Sequence, residues 1–344
     1  MRTSDFDYHL PPELIAQEPL ADRAASRLLV LDRAAGSITH RHFGDVVDLI
    51  DPADVLVLNA SRVIPARLHG RRETGDGTAE AEILLVRELP DGSWIAMGHP
   101  GGKLKPGRRV RFGDDSAVEI VERLGGGLRR VRFVGALDAR ATLARYGAVP
   151  LPPYIHRPPT ARDAERYQTV YAAHDGSVAA PTAGLHFTTQ LLDRLDARGV
   201  GVVTIDLHIG PGTFKPVDSD DLDSHVMHAE AFAISADTAR VINERRQHGG
   251  RVWAVGTTVV RTLETVADAQ GRVQPGAGDT RLFIHPPAAV RAVDKLLTNF
   301  HLPRSTLLML VCAFGGYERV MPAYREAVRE RYRFYSYGDA MAVV

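Results

Sequence analysis

Three segments of the chain combine glycine with threonine, two of them with histidine as well, in a way that could hold a ligand. They are residues 179–188, 207–214 and 255–261. Glycine lets backbone N–H groups approach a ligand, and the N-terminus of a following helix favours a negative group such as a carboxylate. Each segment alone is typical of an ordinary turn, but three of them at predicted strand ends favour a binding site.

Familiar nucleotide-binding loops do not fit these segments. Lys215 stands where a dinucleotide loop would have its third glycine, and no Walker-type loop is present. A generic NAD or ATP enzyme is therefore disfavoured. The sequence also lacks the Gly-x-Ser-x-Gly elbow of α/β hydrolases.

The segment around His225, His228 and Glu230 allows two kinds of chemistry. Histidines three residues apart can share one helix face, and Glu230 could complete a metal site. The order is not that of the zinc proteases, and the residues that follow have the pattern of a strand. Imidazole and carboxylate groups serve equally well in proton transfer or simple hydrogen bonding. Metal binding is thus the less favoured alternative.

Basic residues near tyrosines suggest a contact with nucleic acid. Such charges could neutralise phosphates while tyrosine rings stack on bases exposed in a loop. A solvated charged face is the alternative explanation. The residues concerned are Lys103, Lys105, Arg157, Arg162, Arg166, Tyr154 and Tyr167.

Composition limits the class of protein. The 344 residues contain 42 Lys plus Arg and 42 Asp plus Glu, so nucleic-acid contact must come from a local patch. The single cysteine, Cys312, excludes an internal disulfide framework and agrees with a reducing cytoplasm. The sequence contains neither a signal-peptide pattern nor an apolar run long enough to span a bilayer. We therefore expect a cytoplasmic protein.

The elements that position these residues follow from hydrophobic periodicity. Residues 66–149 alternate apolar and polar side chains between turns, which predicts a small inserted β-barrel domain. Strands near 54–58, 202–209 and 251–255 alternate with helices near 191–195, after 235 and after 257. The fold class is therefore α/β, a mainly parallel sheet with flanking helices formed by residues 1–65 and 150–344.

Several motifs resemble those of one known family. They are FDYHLP at 6–11, RYQTVY at 166–171, PTAGLHF at 181–187, TNFHLP at 298–303 and YSYGDAM at 335–341. In these motifs, across nearly the whole chain, the sequence resembles the QueA family, the S-adenosylmethionine:tRNA ribosyltransferase-isomerases of queuosine biosynthesis. The family's α/β fold with an inserted barrel agrees with the periodicity.

The resemblance implies a transferase and its substrates. S-adenosylmethionine would be a co-substrate, and no true cofactor or metal would be needed. The acceptor would be 7-aminomethyl-7-deazaguanine at the wobble position of tRNAs with a GUN anticodon, those for Asp, Asn, His and Tyr. Epoxyqueuosine-tRNA, adenine and methionine would be the products, and the family resemblance favours a monomer.

We hypothesise roles in this reaction for particular residues. Proton transfer is expected from His186, His208, His228 and Glu230. The methionine and adenosine parts are expected at Gly184, Gly210, Gly212, Thr213, Gly256, Thr257, Thr258 and Arg261. RNA contacts are expected from Lys103, Lys105, Arg157, Arg166 and Tyr167.

Two departures from the family pattern keep alternatives open. Ala60 stands where the family has an acid, and residues 285–287 are His-Pro-Pro where the family commonly has a Pro-Gly-Tyr turn. A tRNA-binding paralogue without turnover is one alternative. A metal-dependent hydrolase at His225, His228 and Glu230 is the other.

Overall fold

A computed structural model of the chain describes residues 1–74, 77–113, 115–210 and 220–344. Its strands are β1 Arg27–Leu31, β2 Ile38–His42, β3 Val55–Asn59, β4 Ser61–Val63, β5 Arg67–Thr74, β6 Gly77–Glu88, β7 Trp94–His99, β8 Arg109–Phe112, β9 Ser116–Arg123, β10 Leu128–Gly135, β11 Gly147–Ala148, β12 His174–Ser177, β13 Gly201–Leu207, β14 Glu230–Ile234, β15 Val252–Val255, β16 Gly276–Thr280, β17 Lys295–Asn299 and β18 Ala340–Val343. Its α-helices are α1 Val46–Leu49, α2 Ala139–Tyr146, α3 Ala161–Arg166, α4 Thr189–Ala197, α5 Ala236–Gln247, α6 Thr257–Val266, α7 Thr306–Gly315 and α8 Tyr317–Arg329.

The larger sheet has nine strands in the order β16-β14-β13-β3-β15-β17-β18-β1-β2. Strands β13, β3, β15 and β17 are parallel to their neighbours, and so are β18 and β1. The other pairings are antiparallel. They join β17 to β18 in the interior of the sheet, β13 to β14 and β14 to β16 at one edge, and β1 to β2 at the other edge. The sheet is therefore mixed, which corrects the expectation of a mainly parallel sheet.

Both faces of this sheet are buried. Along β3, Val55 and Val57 belong to one apolar cluster, whereas Leu56 and Leu58 belong to another. Helices α5 to α8 contribute to the first cluster, and α1 and α4 contribute to the second. Double burial explains why the central strands are continuous apolar runs without polar alternation.

Local sequence signals place the helices of this layer where the periodicity predicted them. Helix α4 is followed by Gly199 with φ +88°, a backbone conformation that glycine adopts without strain. Helix α5 begins at Ser235, whose hydroxyl accepts a hydrogen bond from the Thr238 N–H at 3.0 Å. The predicted alternation of these helices with β3, β13 and β15 is confirmed.

A second sheet lies between β4 and β12 in the chain. Strands β5, β6, β7, β10, β9 and β8 pair with antiparallel neighbours in that order, and β8 also pairs with β5, so the ring closes. Val110, Phe112 and Val131 are buried in its own apolar cluster, while the arginines next to them alternate to the other side.

The fold gathers the site segments at one edge of the large sheet. β15 ends at Val255, and Gly256 then caps the start of α6. β17 ends at Asn299, and Ser305 caps the start of α7 shortly afterwards. β3, β15 and β17 are parallel, so their carboxyl ends meet at this edge, where open α/β sheets bind ligands. Across the described ranges, no helix is long and apolar enough to cross a membrane.

Asp54 fixes the start of β3 against β15. Its carboxylate accepts hydrogen bonds from the Arg251 N–H at 2.8 Å and from the buried indole of Trp253 at 2.7 Å. We expect Asp54→Ala to lower the free energy of unfolding by about 3 kcal/mol, because buried donors lose a charged acceptor. Urea unfolding followed by circular dichroism measures the change. Asp48→Ala, at an exposed carboxylate of α1, is the control, and an equal loss there would contradict the assignment.

Candidate ligand-binding cleft

A cleft opens at the carboxyl edge of the large sheet. It encloses about 650 Å³ of space free of atoms, part of it open to solvent. Its walls come from the turn before α4 (180–183), the start of α6 (256–258), the segment from β17 to α7 (298–307) and Tyr335 with Ser336. The cleft is thus built from segments far apart in the chain.

Two helix N-termini face this cleft. Gly256, with φ +93°, precedes α6, and Thr257 and Thr258 form its first turn. Ser305 precedes α7 and accepts a hydrogen bond from the Leu308 N–H at 3.2 Å. Free N–H groups and the helix dipole favour an anion at such ends. The expected ligand-binding residues Gly256, Thr257 and Thr258 therefore lie together on one wall.

Asn299 is a cleft residue that the sequence reasoning did not single out. Its amide N–H groups donate to the Tyr335 carbonyl at 3.0 Å and to the Nε2 atom of His186 at 3.1 Å. Its carbonyl oxygen is buried and has no hydrogen-bond partner among the described residues. A buried acceptor of this kind is available to a donor on a ligand. Its place in the 298–303 motif was the only signal.

His186 lies behind the cleft rather than in it. Its Nδ1 is 2.8 Å from the Ser26 hydroxyl, its Nε2 meets Asn299, and its ring stacks on Phe43 with centroids 4.9 Å apart. Burial, with nearby arginine charges, lowers the pKa of His186 to about 3, so the ring is neutral at pH 7. Both ring nitrogens of His186 already have hydrogen-bond partners. The geometry therefore indicates that His186 holds the Asn299 side chain in position.

His301 is the histidine that lines the cleft. Its Nε2 is 2.7 Å from the Thr298 hydroxyl, and its carbonyl accepts a hydrogen bond from the Tyr8 hydroxyl. Burial lowers the pKa of His301 to about 3. Its Nδ1 has no hydrogen-bond partner in the described part of the chain, which leaves that nitrogen available to a ligand.

Glu230 and Arg261 form a buried ion pair beside the cleft. Arg261 donates through Nη1 to the Glu230 carboxylate and through Nε to the Leu282 carbonyl at 3.0 Å. The other carboxylate oxygen accepts the Gly210 N–H at 3.0 Å. The pair thus connects α6, β14 and Gly210. Glu230 was expected in proton transfer and Arg261 in ligand binding, but the structure places them in one ion pair.

The other expected residues of the reaction are dispersed. His208 lies near Gly176, its Nδ1 has no hydrogen-bond partner among the described residues, and burial lowers its pKa. His228 is exposed. Gly184 is buried against Tyr171, since a Cβ there would meet the tyrosine hydroxyl. Gly212 and Thr213 lie outside the described residues.

The structure divides the expected RNA-contact residues. Lys103 and Lys105 are exposed on the second sheet. Arg157 holds Asp163 through two hydrogen bonds of 2.7 and 2.8 Å, and Arg166 donates to the Ala21 carbonyl at 2.9 Å. Tyr167 is 1% exposed, so its ring cannot stack on a base. That expectation is corrected: the tyrosine packs edge-on against Tyr337 in an apolar cluster.

The two departures and the metal alternative also have structural outcomes. Ala60 is buried, and its backbone forms hydrogen bonds with Ile205 and Ala173. It is not among the described residues that line the cleft. His285 packs on Phe283. Within the described residues, no group of three metal-ligating side chains is close enough to hold an ion.

Comparisons with known proteins agree over the whole chain. The family model described as queuosine biosynthesis protein matches residues 3–343. A relative from Symbiobacterium thermophilum, named S-adenosylmethionine:tRNA ribosyltransferase-isomerase, is 52% identical over all of both chains. A relative of the same name from Thermotoga maritima is 49% identical, again over all of both chains.

A solved structure is similar as well. The crystal structure of an S-adenosylmethionine tRNA ribosyltransferase from Thermotoga maritima covers 99% of this chain and 100% of its own. Its TM-score is 0.57 and its sequence identity to this chain is 40%.

Breaking the Glu230–Arg261 pair should be costly because one charge remains buried. We expect Glu230→Gln to lower the free energy of unfolding by about 3 kcal/mol, and the double variant Glu230→Gln with Arg261→Met to lose less. Chemical denaturation measures both. Glu244→Gln removes a partner of the exposed Arg240 and should change little. A double variant with a lower free energy of unfolding than the Glu230→Gln variant would contradict this explanation.

The buried histidines should make stability depend on pH. His186 and His301 stay neutral in the folded chain to about pH 3, whereas unfolded histidine takes up a proton near pH 6.5. Stability is therefore complete above pH 6.5 and falls as pH drops from 6.5 toward 3, by up to about 1.4 kcal/mol per pH unit for each ring.

Most carboxylates take up protons below pH 5, so the change in stability between pH 6.5 and 5 reports mainly on histidines. We expect His301→Asn to reduce the slope of unfolding free energy against pH there by close to one proton. The exposed variant His248→Asn serves as the control and should leave the slope unchanged. Equal slopes in His301→Asn and the wild type would show that His301 titrates normally.

Proposed function

Since the chain belongs to the queuosine biosynthesis protein family, we propose that it is an S-adenosylmethionine:tRNA ribosyltransferase-isomerase. Similarity to relatives of that name extends over the whole of both chains, with about half of the residues identical. The structural observation that carries the proposal is the cleft, where two helix N-termini and the free Asn299 carbonyl oxygen meet.

The cleft offers complementary groups for the methionine part of S-adenosylmethionine. Its carboxylate suits the N-termini of α6 and α7, which present N–H donors. Its ammonium suits the unpartnered acceptor of Asn299. The stacked rings of Tyr154 and Tyr335, with centroids 4.4 Å apart, give an aromatic wall for the nucleoside.

The reaction requires proton transfer but no change of oxidation state overall. The positive sulfonium acidifies the neighbouring ribosyl C5′ protons, so a base can remove one and adenine can leave. The neutral aminomethyl nitrogen of the tRNA base then bonds to the ribosyl fragment, methionine departs, and an epoxide closes on the ribosyl carbons. S-adenosylmethionine serves as the co-substrate and supplies both leaving groups.

We assign the first proton transfer to His301 among the described residues. It lines the cleft, and no described residue forms a hydrogen bond with its Nδ1, so that nitrogen can contact a ligand. His208 and the exposed His228 remain proposals for later steps, as do Gly212 and Thr213 for ligand binding. Glu230 and Arg261 act by anchoring Gly210 next to the cleft.

Finer features of the proposal concern the partner and the setting. We infer tRNAs with a GUN anticodon as acceptors and a cytoplasmic monomer as the working form. Residues 66–149 would act as an inserted barrel that contributes Lys103 and Lys105 to tRNA contact. These lysines are exposed and bear no ion pair in the described part of the chain.

The decisive experiment combines the purified protein, S-adenosylmethionine and tRNA carrying 7-aminomethyl-7-deazaguanine. Adenine release is followed by chromatography, and the modified nucleoside is weighed by mass spectrometry. We expect adenine, methionine and epoxyqueuosine in equal amounts. A methylated nucleoside, or binding of tRNA without adenine release, would reject the proposal.

Thr257 offers a test of where S-adenosylmethionine binds. Thr257→Val keeps the shape of the first α6 residue but removes a hydroxyl from the cleft. We expect the KM for S-adenosylmethionine to rise about tenfold, the effect of one hydrogen bond of about 1.4 kcal/mol. Thr189→Val, at the exposed first residue of α4, should leave this KM unchanged.

A further inference from the structure

A second cavity adjoins the ligand cleft and has two lining residues in common with it. Leu302 and Tyr335 line both spaces. The second cavity, here called the outer groove, contains about 990 Å³ of space free of atoms and is widely open to solvent. Its other lining residues are Asp7, Tyr8, His9, Leu10, Ile15 and Pro303. A ligand in this groove would meet a ligand in the cleft at one shared wall.

The outer groove combines an apolar surface with a free negative charge. Leu10, Ile15 and Leu302 supply apolar area, and the Tyr8 hydroxyl is already committed to the His301 carbonyl. The exposed carboxylate of Asp7 makes no hydrogen bond or ion pair with any described residue. This lining suits a flat ring with a primary amine, whose N–H groups can donate hydrogen bonds to the carboxylate.

Tyr335, at the shared wall, carries an unsatisfied polar group. The residue is 5% exposed, and its hydroxyl has no hydrogen-bond partner among the described residues. Its backbone has φ +71°, a left-handed conformation that is strained for a tyrosine. Burial raises the pKa of the Tyr335 hydroxyl, so the group remains a hydrogen-bond donor at neutral pH. Strain and a lost hydrogen bond at one residue point to a ligand that uses it.

A base inside a stacked anticodon loop cannot bring a substituent deep into a cleft. Enzymes that act on bases therefore extrude the nucleotide into a pocket of their own. The aminomethyl nitrogen must also approach a ribosyl carbon to within about 3.5 Å before it can attack. The outer groove adjoins the cleft at Leu302 and Tyr335, which places the two ligand sites next to each other.

We propose that the outer groove receives the extruded tRNA base, that Asp7 binds its primary amine, and that the Tyr335 hydroxyl donates a hydrogen bond to this base at the shared wall. This inference rests on the proposed function and names the site of its second substrate. The recognised chemistry is a planar heterocycle with a primary amine, held on RNA rather than free.

Asp7→Asn tests recognition of the amine. Two tRNAs of one sequence are compared, one with 7-aminomethyl-7-deazaguanine and one with guanine at the wobble position, and their Kd values are measured by fluorescence anisotropy. We expect Asp7→Asn to weaken binding of the modified tRNA about tenfold and to leave the unmodified tRNA unchanged. Glu13→Gln, an exposed carboxylate outside the groove, should preserve both affinities.

Two results would overturn the role of Asp7. One is an equal loss for both tRNAs, which would make the residue a general contact, and the other is no loss for either. The free base 7-aminomethyl-7-deazaguanine, added as a competitor, separates the two sources of the ligand. If it binds wild-type protein as tightly as the modified tRNA does, and loses this affinity in Asp7→Asn, the groove serves the free base instead.

Tyr335→Phe separates a ligand contact from a structural role. The hydroxyl is unpartnered in the free protein, so its removal should not lower the Tm. We expect kcat to fall at least tenfold while the Kd for S-adenosylmethionine changes less than twofold. Tyr146→Phe is the matched control, because its hydroxyl donates to Asp115 at 2.8 Å and its loss should lower Tm but not kcat. A lowered Tm with unchanged kcat in Tyr335→Phe would overturn the assignment.

Failure of this inference can be told from failure of the proposed function. If wild-type protein forms no ribosylated nucleoside, the function itself is wrong. If wild-type protein is active but Asp7→Asn and Tyr335→Phe behave like their controls, the function stands and the outer groove is not the base site.

Discussion

The amide of Asn299 holds the site together. It lies at the end of β17 and donates to Tyr335 on one side and to His186 on the other. His186 in turn contacts Ser26, just before β1, so one side chain connects three distant parts of the chain. Both amide hydrogens are used while the carbonyl oxygen is left free. The amide hydrogens thus fix the side chain of Asn299, and its carbonyl oxygen supplies a polar group to the wall of the cleft.

The same edge of the sheet shows how stability and binding are balanced. Asn59 at the end of β3 satisfies its amide with the backbone of Leu207 and Ser61, so it works as a link between strands. Asn299 and Tyr335, by contrast, keep buried polar atoms that no described residue satisfies. Unsatisfied groups cost stability, and they persist where the surrounding fold enforces them. The satisfied links around β3 and the Glu230–Arg261 pair provide that enforcement.

Sequence reasoning succeeded wherever the signal was local. The Gly256-Thr257-Thr258 turn was recognisable because a glycine follows a buried strand and begins a helix, and those residues line the cleft. Tyr167 failed for the opposite reason. An aromatic residue among arginines resembles an RNA contact in sequence, but its exposure depends on packing against Tyr337, which lies far away in the chain.

The sequence by itself determined the alternation of strands and helices, the position of the strand-rich insertion and, through its motifs, the family. Each of these follows from side chains close together in the chain or from short patterns. Only the tertiary structure decided that Glu230 pairs with Arg261, that His186 lies behind Asn299, and that Asp7 and Tyr335 share a groove. These relations depend on long-range packing, in which the direction of each side chain is set by which strands become neighbours.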